Sequence, residues 1–174
     1  SATRGIVGGG YGSDENPDGE ANKTDVIQYI TIASAGNATD FGNLVQIRDD
    51  LTAFSSTTRG IFSGGGFEGY RNEIDFITIA STGNASDFGD MTISANLQSA
   101  AGNLIDSNFR QASACSSHTR GVNCGGSMPT ALGSATDVIQ YVTIASTGNA
   151  SDFGDLTASK AFGAACSATH GGIA

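Results

Sequence analysis

Three acidic residues lie close together early in the chain, and carboxylates at this spacing could hold a cation. Asp14, Glu15 and Asp18 occupy one polar segment, Ser13-Asp-Glu-Asn-Pro-Asp18. Calcium is bound by several oxygen ligands that converge from a loop such as Asp-x-Asp-x-Asp-Gly. The segment departs from that pattern and occurs only once, so we regard it as a candidate for weak cation binding.

The histidines and cysteines offer little for catalysis. His118 and His170 lie at near-equivalent places in a sequence repeat, and neither stands at a metal-ligand spacing. Cys115 and Cys166 also match, each within Ala-Cys-Ser, which favours small buried residues over ligands or nucleophiles. A carboxylate pair for glycoside hydrolysis is compatible with an acidic chain, but nothing singles one out. We therefore predict no catalytic residues, no cofactor and no enzymatic activity.

Four Asn-x-Ser/Thr sequences could accept N-linked glycans. Their asparagines are Asn22, Asn37, Asn84 and Asn149, and the last three share one place in the repeat. The same residue types stabilise turns through hydrogen bonds from side chain to backbone. We favour the turn interpretation, with glycosylation as the alternative.

Composition excludes two classes of partner. The chain has 174 residues and a net charge of −9, from 17 acidic and 8 basic residues. Because no basic stripe is present, nucleic-acid binding is not expected. No apolar run approaches the length of about 20 residues that a membrane span requires, so membrane insertion is not expected. The 25 glycines and the low charged fraction of 14% are typical of short strands joined by tight turns.

One β-rich sequence occurs three times in the chain, and a fourth copy begins near its end. Each copy starts at Thr-Arg-Gly, or Thr-His-Gly in the fourth, and the three longer copies continue with a glycine cluster. A strand-like block follows (Asp-Val-Ile-Gln-Tyr-Ile-Thr-Ile-Ala-Ser in the first), and then Gly-Asn-Ala-Thr/Ser-Asp-Phe-Gly. The whole chain is thus predicted to be a single repeat array. Its copies span about 3–57, about 58–118 and about 119–168, with the start of the fourth at 169–174.

Several side chains recur once in each copy, and we predict structural roles for them. They are Arg4, Arg59 and Arg120; Asp40, Asp87 and Asp152; Phe41, Phe88 and Phe153; and Tyr29, Phe76 and Tyr141. The phenylalanines are expected to anchor the core. We expect each arginine to link neighbouring copies, through a repeated acid such as Asp40 or Asp87 or through carbonyl groups. Anion binding by the arginines and calcium binding by the aspartates are the alternatives.

Each copy is predicted to contain four short strands. In the block at 25–34 both sets of alternating residues are largely apolar, which predicts a central strand covered on both faces. The fourth strand is expected near 51–54, 109–115 and 162–166. One copy cannot bury both of its faces alone, so each copy needs a neighbour.

These residues resemble the kelch-type β-propeller repeat, in the low-complexity form found in structural proteins of marine bacteriophages. Gly64-Gly65 matches the kelch glycine pair, and the strands containing Tyr29 and Phe76 resemble its tyrosine-bearing strand. Phe41 and its two counterparts stand where the kelch pattern usually has Trp, which this chain lacks. The resemblance extends over nearly the whole chain. It predicts an all-β fold of kelch-like β-propeller blades: three repeats of about four short antiparallel strands, plus the start of a fourth.

The resemblance also implies a function. Kelch-like propellers are mainly binding and architectural modules. The phage-like form implies a virion structural protein, in a tail fibre, appendage or decoration, located on the virion surface or outside the cell. Its loops would contact other copies of the chain, other virion proteins, or a host-surface glycan or protein.

Two other functions are the alternatives: a secreted bacterial adhesin or surface filament or layer protein, and an enzyme built on the same scaffold. The chain begins and ends at similar points of the repeat. We therefore expect a partner, or a longer polypeptide, to supply further repeats.

Overall fold

Short runs of β-branched and aromatic residues between Gly/Asn turns make this chain all-β in the computed structural model. The structure describes residues 3–11, 23–66, 71–92, 112–127 and 135–167. The strands within these ranges are β1 (Arg4–Gly8), β2 (Val26–Thr31), β3 (Thr39–Asn43), β4 (Thr52–Ser55), β5 (Arg59–Ser63), β6 (Glu73–Thr78), β7 (Ser86–Asp90), β8 (Ser113–Ser116), β9 (Arg120–Ser127), β10 (Ala135–Thr143) and β11 (Ser151–Lys160). No described part of the chain forms a helix long and apolar enough to cross a membrane.

The strands form three antiparallel sheets. Their orders are β1-β2-β3, β4-β5-β6-β7 and β8-β9-β10-β11, so strands adjacent in sequence are adjacent in space within each sheet. We call them the first, second and third sheets. β4 precedes the second Thr-Arg-Gly sequence but pairs with the strand that follows it, with Phe54 opposite Ile61. In the same way β8 pairs with β9, with Cys115 opposite Val122.

The prediction of kelch-like β-propeller blades is wrong. The described residues form sheets of three, four and four strands in a sandwich-like arrangement, and none closes into a barrel or a propeller. A repeat pattern specifies the strands and the side chains each one buries. Whether the sheets close into a propeller depends on the rotation between successive sheets. The repeat pattern does not show how large that rotation is. The all-β part of the prediction is confirmed.

The fourth strand of each copy formed in two of three cases. β4 and β8 lie near the expected positions, whereas the described chain at 162–166 is not a strand. Residues 169–174, where the fourth copy was predicted to start, lie outside the described residues.

The sheets pack face to face through two apolar cores. Between the first and second sheets, at what we call the first interface, the buried residues are Ile27, Phe41, Leu44, Phe62 and Ile77. Between the second and third sheets, at the second interface, they are Phe54, Ile61, Ile74, Phe88, Met91, Val142, Ile144 and Ala150. Burying one such side chain contributes roughly 1.5–3 kcal/mol. The second sheet is therefore covered on both faces. The block at 25–34, for which this was predicted, forms β2 at the centre of the first sheet. One of its faces is exposed, with Ile30 and Ile32 at 44% and 57%, so that prediction is wrong for the first sheet.

Candidate functional site

The guanidinium of each repeated arginine lies over an aromatic ring of its own sheet. The guanidinium carbon is 4.6 Å from the ring centroid for Arg4 on Tyr29, 4.6 Å for Arg59 on Phe76 and 4.8 Å for Arg120 on Tyr141. This geometry allows a cation–π attraction between each guanidinium and its ring.

Two of these arginines also connect neighbouring sheets. Arg4 Nη1 donates to the carbonyl oxygen of Ile79 at 2.8 Å, and Arg59 Nη1 donates to that of Ile144 at 3.0 Å. The acceptors are thus backbone carbonyls of the next sheet. Asp87, which was one of the acids expected to bind a repeated arginine, instead accepts at Oδ1 from the backbone N–H of Gly89 at 3.0 Å.

The repeated phenylalanines complete the aromatic arrangement. Their rings meet the strand aromatics edge to face, with centroid distances of 6.1 Å for Tyr29–Phe41, 5.9 Å for Phe76–Phe88 and 5.9 Å for Tyr141–Phe153. Phe41 and Phe88 are buried, at 3% and 2% exposure, whereas Phe153 is 55% exposed. Two phenylalanines are therefore core residues and the third lies at an uncovered face.

The turns after the central strands of the second and third sheets dock on the preceding sheet. At the first interface the N–H of Gly83 donates to the carbonyl of Phe41 at 2.7 Å, and the N–H of Ala85 donates to that of Asn43 at 2.8 Å. The N–H of Asn43 in turn donates to Oδ1 of Asn84 at 3.1 Å.

The second interface repeats these bonds in kind and in length. Gly148 and Ala150 donate to the carbonyls of Phe88 and Asp90, both at 2.7 Å, and Asp90 donates to Oδ1 of Asn149 at 3.0 Å. Two of the four sequon asparagines therefore accept an inter-sheet hydrogen bond. Asn22 lies outside the described residues.

These turns also form a row of exposed polar residues, which we call the turn row. It comprises residues 33–37, 80–84 and 145–149, with the sequences Ala-Ser-Ala-Gly-Asn, Ala-Ser-Thr-Gly-Asn and Ala-Ser-Thr-Gly-Asn. All are exposed, and each turn is closed by the same bond, from a Ser N–H to a Thr carbonyl three residues earlier, at 3.2 Å. The turn row offers hydroxyl and amide groups once in each sheet and carries no charged side chain.

A buried ion pair was missed by the sequence analysis. Arg48 is fully buried, and its Nη2 donates to Oδ2 of Asp75 at 2.6 Å. Its Nη1 donates to the carbonyls of Gly64 and Glu73, at 3.1 and 2.8 Å. Burial lowers the pKa of Arg48 and raises the pKa of Asp75, while their mutual attraction opposes both shifts. The signal in the sequence was Asp75 itself, because the other copies have Gln28 and Gln140 at that place.

The described residues contain no group of three or more His, Cys, Asp and Glu side chains that could hold a metal ion. The candidate acids Asp14, Glu15 and Asp18 lie outside the described residues, as does His170.

The cysteines occupy different environments. Cys115 and Cys124 are half-buried, and burial together with Cys115 raises the pKa of the Cys124 thiol. Cys166 is exposed, contrary to the expectation of a buried core residue.

Comparison with known proteins gives a likeness of fold. No protein-family model matches the sequence, and no curated protein matches it. Among the solved structures similar to the chain is that of YjhT, with a TM-score of 0.63 and 10% sequence identity. The likeness covers 91% of this chain and 51% of YjhT, so the chain spans about half the length of that neighbour. At this identity the likeness concerns the fold alone.

Proposed function

We propose that this chain is a structural and binding module of a bacteriophage virion, in a tail fibre, appendage or decoration protein, and that the turn row contacts a host surface or a neighbouring subunit. The binding part of the proposal rests on a difference within each repeat: some recurring residues make contacts inside the molecule, and others stay exposed. The repeated arginines and aromatics are used in contacts within or between sheets. Two asparagines of the turn row also accept one inter-sheet hydrogen bond each, but their residues stay exposed. The turn row remains exposed in all three sheets.

The chemistry of the turn row favours a polar ligand. Serine, threonine and asparagine side chains donate and accept hydrogen bonds without charge, which suits hydroxyl-rich glycans or polar protein surfaces. A single turn would bind weakly, because exposed hydrogen bonds exchange with water. Three equivalent turns held at fixed spacing can act together, and several such modules in one particle raise the effective affinity further.

The resemblance of the repeats to marine bacteriophage structural proteins supports the virion setting. The direct test is to raise antibodies to the chain and probe purified virions, cell envelopes and culture supernatant from the source, by immunogold labelling and mass spectrometry. We expect the chain in the virion fraction, on a tail fibre or another surface feature. Its presence in the envelope or the supernatant, and never in virions, would establish the secreted adhesin or surface-layer protein instead.

The turn row can be tested separately by binding of the labelled chain to host cells. Thr82 and Thr147 are exposed turn residues, so the double variant Thr82→Arg/Thr147→Arg adds bulk and charge to two turns. We expect it to lose most of the binding. Gln46→Arg is the matched control, because Gln46 is exposed and lies outside the turn row. Equal binding by both variants would exclude the turn row as the contact surface.

A further inference from the structure

The first sheet leaves one face uncovered that its counterparts bury. We call this the leading face, and it carries Val7, Gln28, Ile30 and Ile32. Ile30 and Ile32 are 44% and 57% exposed. The residues at the same places in the second and third sheets, Ile77, Val142, Ile79 and Ile144, are all within 1–3%. Gln28 is exposed as well, whereas its counterparts Asp75 and Gln140 are buried acceptors of a backbone N–H.

The third sheet leaves the opposite face uncovered. We call this the trailing face, and it carries Ile139, Tyr141, Phe153 and Leu156. Phe153 is 55% exposed although the two equivalent phenylalanines are buried. Leu156 is half-buried, whereas Leu44 and Met91 at the same place are 4% and 3% exposed.

We propose that the leading face of one copy of this chain docks on the trailing face of a second copy and reproduces the two internal interfaces. A second copy fits because each face carries the groups that the other face would contact at the two internal interfaces. On the leading face, Gly36 and Ala38 correspond to the turn donors of the other sheets, and Asn37 to the turn acceptor. On the trailing face, the Phe153 and Asp155 carbonyls correspond to the acceptors at Phe88 and Asp90.

The arginine contact is divided in the same way. Arg120 lies over Tyr141 like its two counterparts, but no hydrogen bond joins its guanidinium to another described residue. The corresponding acceptor would be the carbonyl of Ile32, on the leading face of the second copy.

The glycine at the bulge of each sheet gives a second, independent indication. A Cβ on Gly42 or Gly89 would collide with the backbone of the next sheet, at Gly83 and Gly148 respectively. A Cβ on Gly154 would meet no described residue within 4 Å. The third sheet therefore has the same space for an incoming turn, and no described residue of the same copy fills it.

A third indication is a strand position beside β1. The second and third sheets begin with β4 and β8, whereas among the described residues β1 pairs with β2 alone. A cleft of about 270 Å³ lies at this edge, between Arg4–Ile6 on one side and residues 53–55 and 60–62 on the other. A sheet edge of this kind can accept an extended segment as an added strand.

Residues 164–167 match that position. Their sequence, Ala-Ala-Cys-Ser, aligns with β4 and β8 in the repeat, and all four residues are exposed. Ser167 Oγ donates to the carbonyl of Ser116 at 2.7 Å, just as Ser116 Oγ donates to that of Ser55 at 2.9 Å. The registers of β4–β5 and β8–β9 then place Cys166 opposite Ile6 of the second copy.

Such an interface is heterologous, because different surfaces of the two copies meet. Heterologous contacts produce closed assemblies when the rotation returns to the start and open filaments when it does not. The inference holds for any biological setting, so it stands or fails independently of the virion proposal.

The first experiment measures the mass of the 174-residue chain in solution over a range of concentrations, by light scattering or sedimentation. We expect a concentration-dependent dimer or larger species. Ile32→Asp places a charge on the leading face and should shift the midpoint of association to at least tenfold higher concentration. Gln46→Asp is the matched control, because Gln46 is exposed and belongs to neither face. A chain that stays monomeric at every concentration overturns the proposal and assigns the faces to other repeats or another partner.

The second experiment tests the register in a Cys115→Ser/Cys124→Ser background, which keeps Cys166. Directly opposed residues of antiparallel strands have Cα atoms about 4.5–5.5 Å apart, within the range that a disulfide spans. Within one copy the end sheets are separated by two sheet spacings, about 20 Å at about 10 Å each. Ile6→Cys should therefore give disulfide-linked dimers or larger species on non-reducing gels.

Two controls decide the outcome. Adding Cys166→Ser to the Ile6→Cys chain should abolish the link, and Val7→Cys, whose side chain points to the opposite face, should link far more slowly. Equal linking by Ile6→Cys and Val7→Cys would reject the docking geometry.

Discussion

The first and second interfaces are built on the same frame but differ in the polar groups they bury. Both use an arginine bonded to a carbonyl of the next sheet and a turn that docks on the preceding sheet. The first interface adds a buried ion pair, Arg48–Asp75. The second uses neutral amides and hydroxyls. The arginine and turn contacts, which we call the frame, are therefore shared by both interfaces, whereas the buried polar groups differ between them.

The difference is clearest at one position of the central strand. At the first interface Oδ2 of Asp75 accepts from the N–H of Val45 at 3.1 Å. At the second, Oε1 of Gln140 accepts from the N–H of Thr92 at 2.7 Å and from its hydroxyl at 2.6 Å. The frame needs an acceptor here for the incoming chain. When that acceptor is a carboxylate, the same incoming segment supplies a buried cation, because an unpaired buried charge is strongly unfavourable.

A second position shows an apolar and a polar solution to the same packing problem. At the first interface the Phe62 ring packs against Gly8, where a Cβ would lie 2.9 Å from the ring. At the second interface these places hold Asn123 and Ser63, which are joined by a hydrogen bond from Nδ2 to Oγ at 2.9 Å. Each pair is matched in size and polarity, so exchanging one member alone should be unfavourable.

The largest effect is expected from Arg48→Ala. This change leaves the Asp75 carboxylate buried without its cation and also removes the donor to two carbonyls, so we expect a loss of about 3–5 kcal/mol in the free energy of unfolding. Denaturant titration followed by circular dichroism measures it. The double variant Arg48→Met/Asp75→Gln installs the neutral acceptor of the other copies and should recover most of the loss. If the double variant is as unstable as Arg48→Ala, the neutral solution is not transferable between the interfaces.

The sequence predicted the frame well and this ion pair not at all. The central strands β2, β6 and β10 and the buried Phe41 and Phe88 were predictable because they recur in every copy. Arg48 occurs in one copy only, so the repeat pattern gives no indication of it. The informative sign was the exception at Asp75, an acid where the other copies have glutamine.

The arrangement of the sheets could not be predicted from the repeated residues. Alternating apolar residues show which side chains each strand buries, but the rotation from one sheet to the next depends on packing across the whole interface. The assignment of β4 and β8 to the following sheet is also a tertiary outcome, since each lies at the end of its sequence repeat. The exposed state of Phe153 could not be read from its type, because two identical neighbours in the repeat are buried.

Gly89→Ala should have the next largest effect and tests how closely the second interface is packed. Its Cβ would lie 2.6 Å from the carbonyl oxygen of Gly148, and Gly89 has a φ of +141°. We expect a loss of about 3 kcal/mol, from overpacking of about 1–3 kcal/mol added to backbone strain. Gly148→Ala is the matched control, with a φ of +153° and open space around its Cβ. Thermal unfolding should show the larger shift for Gly89→Ala; equal shifts would mean that strain alone explains both.

Replacing the Asn123–Ser63 pair of the second interface by the Phe–Gly pair of the first should have a moderate effect on stability. Asn123→Phe imports the aromatic side chain of the first interface but leaves the Ser63 hydroxyl facing a ring, so we expect a loss of about 2 kcal/mol. Ser63→Gly/Asn123→Phe imports the whole apolar solution and should be more stable than the single variant, even though glycine weakens a strand by about 0.5–1 kcal/mol. A double-mutant cycle on unfolding free energies measures the coupling. Additive losses would show that the two pairs are not equivalent solutions.

The smallest effect is expected at the repeated arginines, where the inner and end sheets can be compared directly. Arg59→Ala removes a cation–π contact and a hydrogen bond to Ile144 of the next sheet, and should cost about 1–2 kcal/mol. Among the described residues, Arg120→Ala removes only the ring contact with Tyr141, so below the concentration of any association it should cost about 0.5–1 kcal/mol. Unfolding measured on dilute protein tests this order. If Arg120→Ala costs as much as Arg59→Ala, the ring contact, and not the bond between sheets, is what each arginine contributes to stability.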